Sequence, residues 1–108
     1  MKIESRELDG AVVVALVGEV DLQHSPTVRK HLMDLMFERR PVVVDMGLVD
    51  YIDSSGIASL VEAYQAARKN GTRFILAAVS QPAMRVLQLA RLDKVFALAD
   101  TVEAGLTA

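Results

Sequence analysis

Pro41-Val42-Val43-Val44-Asp45-Met46, then Gly47-Leu48-Val49-Asp50-Tyr51-Ile52, then Asp53-Ser54-Ser55-Gly56 is the stretch on which the fold turns. A run of valines without polar alternation suits a strand covered on both faces. The short polar residues and glycine that follow suit the opening turn of a helix. Ser or Asp can cap free helix N–H groups there, and Gly lets another backbone approach closely. Ile57, Leu60, Val61 and Tyr64 then recur at helical spacing, with Glu62, Gln65 and Lys69 facing water. Asn70-Gly71 stops the helix.

Upstream, Lys2 to Leu8 mixes polar and apolar residues as an edge strand does, and Asp9-Gly10 is a two-residue turn signal. Ala11 to Val17 is a second buried strand, and Gly18 to His24 reads as a polar loop. Ser25 is expected to cap the next helix, with Pro26 at its first position. Val28, Leu32, Leu35 and Met36 form the apolar stripe of that helix, and Arg39-Arg40-Pro41 ends it, the basic pair suiting its negative end. Downstream, Phe74 to Val79 is the next strand, and Ser80 caps a helix running to about Arg91. Val95-Phe96-Ala97 can form a short last strand, and Asp100 with Glu103 resembles a capping box for a final helix.

The order ββαβαβαβα predicts an α/β domain with a mixed, mostly parallel sheet. The hairpin strand lies antiparallel at one edge. Right-handed crossovers that each add a strand on the same side place the helices mainly on one face.

Length and composition fit a single domain over residues 1–108. At 52% hydrophobic the chain is too apolar for disorder. The absence of cysteine excludes disulfides, cysteine-ligated zinc and thiol nucleophiles. A formal charge of −2 argues against nucleic acid as a partner. No apolar run approaches the ~18 residues of a membrane span, and residues Met1 to Glu7 lack a signal-peptide core. Expected is a cytoplasmic protein without membrane insertion.

Asp53-Ser54-Ser55-Gly56 has two readings: a good helix cap, or a hydroxyl held at a helix N-terminus as a phosphate acceptor. A serine hydrolase built from Ser54 or Ser55 with His24 lacks the G-x-S-x-G elbow. A phospho-receiver reading of Val42-Val43-Val44-Asp45 lacks an acidic pair after the first strand and a well-placed lysine. His24 and His31 do not have zinc spacing, so no metal and no cofactor is expected. His31 reads as a surface helix residue, and Asp45 as an acceptor for a neighbouring loop. Asp21 and His24 fall in a loop at the same sheet end as Ser54, which makes them candidates for partner contact.

Three segments together resemble the STAS domain family, shared by anti-sigma factor antagonists and sulfate-transporter tails. They are Leu16-Val17-Gly18-Glu19-Val20-Asp21, the strand Val42–Met46 leading to Asp53-Ser54-Ser55-Gly56, and the stretch Gly71–Leu92. Arg91 stands where many relatives have glycine. For the antagonist type, the resemblance implies that Ser54 is phosphorylated by an ATPase-type serine kinase that is also the anti-sigma factor. The unphosphorylated form would bind that partner, the phosphorylated form would release it, and a serine phosphatase would reverse the mark. Asp21, His24, Asp53, Ser55 and Gly56 would frame the contact. Ser55, one residue further in, is expected to turn toward the helix amides, and Asp53 either positions Ser54 or caps the helix. The family also contains subunits of bacterial lipid-transport ABC systems and stress-signalling scaffolds. No catalysis is implied.

Overall fold

A computed structural model describes residues Met1–Ala108. The elements are β1 (Lys2–Leu8), β2 (Ala11–Val20), α1 (Ser25–Phe37), β3 (Val42–Ile52), α2 (Ser54–Asn70), β4 (Phe74–Ala77), α3 (Gln81–Leu89), β5 (Ala97–Ala99) and α4 (Val102–Leu106). The sheet order is β1-β2-β3-β4-β5. β1 runs antiparallel to β2 and every later pair is parallel. The expected order and mixed sheet are both present.

Valine alternation within the apolar runs sorts the two faces. Val12, Val14 and Leu16 of β2 and Val42, Val44 and Met46 of β3 point toward α1, α2 and α3, where they join Val28, Leu32, Leu60 and Leu87 in the main core. Val13, Val43 and Ala77 point the other way and meet Val102 of α4. The fourth helix therefore covers the opposite face, and Gly105 permits the approach: a Cβ there would stand 3.1 Å from Val43 Cγ1.

Several expected boundaries move. β2 continues through Gly18 to Val20, with register shifts between Ala15/Val17 and Gly18/Glu19, so the polar loop shrinks to Asp21–His24. Gly18 takes φ 98° at this irregularity, so a residue that reads as a breaker carries the strand through a bulge. β3 likewise continues past Gly47 to Ile52. β4 stops at Ala77, because Ala78 turns to φ 53°. β5 is Ala97–Ala99 rather than Val95–Ala97. Phe96 is drawn into the core instead, meeting Tyr64 edge-on at 5.3 Å. His24, not Ser25, is the N-cap of α1, and Thr101, not Asp100, caps α4 by accepting from Ala104 N–H. His31 is half-buried rather than a plain surface residue, its Nε2 lying 2.6 Å from Ser5 Oγ.

Helix ends follow one pattern. α1, α2 and α3 each close with paired reverse hydrogen bonds, Arg40 N–H to Leu35 O, Thr72 N–H to Ala67 O and Leu92 N–H to Leu87 O. That closure needs a left-handed residue. Gly71 supplies it without strain, whereas Arg39 (φ 55°) and Arg91 (φ 59°) adopt it against their Cβ atoms. Arg91 thus keeps the backbone that the family's glycine would take. The pair Arg39-Arg40 lies beyond the last helical turn of α1.

Candidate functional site

The C-terminal ends of β2 and β3 and the N-terminal ends of α1 and α2 meet at one rim of the sheet. Asp53 organises it. Its Oδ1 accepts from Ser55 N–H at 3.0 Å, Gly56 N–H at 3.1 Å and Ser55 Oγ–H at 2.5 Å. The Ser55 hydroxyl is the largest influence holding this carboxyl below its ordinary value; burial opposes it, and the Gly56, Ser55 and Leu22 amides reinforce it. Such a carboxylate caps the helix. Of the two roles left open for Asp53, the cap is the one its hydrogen bonds display.

Ser55 therefore turns back onto Asp53 instead of toward the helix amides. Gly56 is buried and has a steric duty: a Cβ would lie 2.6 Å from Val20 O and 2.7 Å from Ile52 Cγ1. Its bareness seats α2 against β2. Asp53 N–H completes the junction by donating to Val20 O at 3.3 Å. Ser54, the first residue of α2, is exposed and makes no side-chain hydrogen bond.

The neighbouring loop is held by Asp21. Its Oδ1 accepts from His24 N–H at 3.1 Å and sits 2.7 Å from His24 Nδ1. An ionised carboxylate can only accept, so Nδ1 carries the proton. Asp21 O also accepts from Ser25 N–H at 2.8 Å, which takes over the capping that no side chain provides for α1. Both residues are half-buried at the same rim as Ser54, as expected from the topology. Asp45 is half-buried on the far face of the sheet and accepts from Gly47 N–H at 3.0 Å, a local structural duty.

Sequence reasoning missed three participants. Ser59 Oγ lies 3.1 Å from Ser25 O and 3.2 Å from Ser55 O, tying the two helix starts together. A serine four residues after Ser55, on the buried stripe of α2, was the available signal. Leu22 (74% exposed) and Tyr51 (50% exposed) flank the rim as bare apolar surface; neither follows any motif spacing.

The family model for the STAS domain matches residues 2–105. The chain belongs to the STAS domain family. It is 28% identical to the anti-sigma F factor antagonist of Paenibacillus polymyxa, over 99% of this chain and 93% of that protein. An anti-sigma factor antagonist from Mycobacterium paratuberculosis shares the fold with a TM-score of 0.89 at 28% identity, covering 98% of this chain and 91% of that one. The Bacillus cell fate determinant SpoIIAA in its phosphorylated form matches with a TM-score of 0.77 at 19% identity, over 98% and 97% of the two chains, a likeness of fold. STAS antagonists are binding proteins rather than enzymes, and this STAS domain has no cluster of His, Cys, Asp or Glu able to hold a metal. No helix is long and apolar enough to cross a membrane.

Proposed function

We propose that this STAS domain is an anti-sigma factor antagonist switched at Ser54, acting in the cytoplasm. The observation that carries the reading is the contrast among serines at the rim. Ser25 is 5% exposed and Ser55 is bound to Asp53, whereas Ser54 stands in solvent at a helix start. The names borne by its relatives support an anti-sigma factor as partner.

In the proposed reaction Ser54 Oγ attacks the terminal phosphorus of a nucleoside triphosphate held by the anti-sigma kinase. The new O–P bond forms as the bridging P–O bond breaks, and the diphosphate leaves. Three donors share Asp53 Oδ1, and the base that takes the Ser54 hydroxyl proton comes from the kinase. A phosphatase reverses the mark by hydrolysis, releasing inorganic phosphate.

The product carries about 1.5–2 negative charges at pH 7. The α2 N-terminus favours them by ~0.3–1 kcal/mol, and Asp21 and Asp53 oppose them, so the domain stays folded. At the interface the balance is different. A dianion pressed among Leu22, Tyr51 and a partner's apolar side chains loses its water, and each ~1.4 kcal/mol of that penalty weakens binding tenfold.

The test is incubation with the candidate anti-sigma kinase and labelled ATP. Wild type and Ser55→Ala are expected to take up label and Ser54→Ala none, and Ser54→Asp is expected to bind the kinase at least ~10-fold more weakly. Label retained by Ser54→Ala, or stable association with a transport ATPase without phosphate uptake, would refute the reading.

A further inference from the structure

The two ends of the parallel sheet carry opposite charge. Glu19 and Asp50, near the last residues of β2 and β3, and Asp21 and Asp53, which follow those strands, lie at the rim of Ser54. At the other pole the helices terminate, and Arg39, Arg68, Lys69 and Arg73 outnumber Asp9 and Glu38, with Glu7 there paired to Arg40. Between the ends of α1 and α2 lies a groove of about 310 Å³ lined by Met33, Met36, Phe37, Ala66, Arg39 and Lys69, together with Asn70. Its wall is fixed, because Asn70 Nδ2–H donates to Met36 O at 2.8 Å and so locks one helix end to the other. Phe37 is 82% exposed on its lip. No carboxylate lines the groove, and neither Arg39 nor Lys69 takes part in an ion pair. Arg39 also keeps its place there in a left-handed backbone that glycine would adopt without strain.

The chemistry that fits this groove is an apolar side chain flanked by carboxylates, and the opposite pole of the same chain presents it. Leu22 stands beside Asp21, with Glu19 and Asp50 near the ends of the adjoining strands. We propose that the domain associates head to tail, the Leu22 rim of one copy seating in the Phe37–Lys69 groove of the next. The contact is heterologous, so it does not close at two subunits. It is small, at the low end of specific interfaces, and therefore weak. A copy seated on the rim covers Ser54 and withholds it from a kinase. The association rests on surface charge and shape alone, and holds whether or not Ser54 is modified in the cell.

Sedimentation velocity on the purified chain, from micromolar to millimolar and at low and high salt, tests this. The weight-average sedimentation coefficient is expected to climb with concentration past the dimer value at low salt and to return to the monomer value at about 0.5 M salt. Phe37→Ser with Lys69→Gln removes one face, and Leu22→Ser with Asp50→Asn removes the other. Each double variant alone is expected to remain monomeric, and their mixture to stop at a one-to-one dimer. Ser54→Asp adds charge to the acidic pole and is expected to strengthen self-association about twofold or more, opposite to its weakening of kinase binding. A wild type monomeric at millimolar concentration, a plateau at a symmetric dimer, or association unchanged in both double variants would overturn the proposal. Circular dichroism verifies that the variants are folded.

Discussion

α1 and α2 begin alike but expose their first residues in opposite ways. Each follows a parallel strand at the same rim, and each has serine as its first residue. Ser25 is sunk between the helices, its carbonyl within reach of the Ser59 hydroxyl, and its helix is capped by the Asp21 carbonyl. Ser54 is bare, because Asp53 takes the amides and the Ser55 hydroxyl together, while Gly56 lowers the helix onto Val20. The lesson is that a hydroxyl is left free by its neighbours. They pair with one another and leave the Ser54 hydroxyl without a hydrogen-bond partner.

The largest change expected from breaking this arrangement is at Gly56. Gly56→Ala forces a Cβ against the Val20 carbonyl and should cost about 3 kcal/mol, read as a lowered urea midpoint. Next is one substitution made at both serines. Ser25→Asp buries a carboxylate and should cost about 2 kcal/mol, whereas Ser54→Asp should stay within ~0.5 kcal/mol of wild type. Equal losses at the two positions would erase the distinction drawn between them. Asp53→Ala removes the cap and should cost about 1 kcal/mol.

The smallest effect is in acid. A carboxyl held below its ordinary value of 3.8 contributes stability above that pH and loses it as pH falls through the folded value. Asp53→Asn keeps a capping oxygen but does not titrate. Wild type should therefore lose more stability than this variant between about pH 4 and pH 2, as thermal melts across that range would record.

Most of the fold was legible in the order of apolar runs and stop signals, because valine runs and amphipathic stripes report burial directly. The misreadings share a cause. Gly18 and Gly47 look like strand breakers, yet Gly18 pairs with Val49, and β3 resumes its pairing at Leu48 just beyond Gly47. Val95 and Phe96 look like a strand, yet the cavity beside Tyr64 takes the phenyl ring and moves the strand on. Both outcomes depend on residues far away in sequence. At the site, Asp53 and Ser54 could be singled out from the motif. The Asp21–His24 pairing and the Ser59 bridge could not, because they depend on how two helix starts pack side by side.

The strand order, in which every strand pairs with the one before it, has a consequence for how the domain comes into being. A chain emerging from the ribosome can lay each new strand beside one already in place, with no gap held open for a later arrival. When residue 77 is free, the hairpin, the long central strand and β4 can already be joined, with Ser54 at its rim. What remains to be added, α3, β5 and α4, closes the far edge and seals the second face. The Ser54 end of the molecule can thus take shape during synthesis, before the last third of the chain has been made.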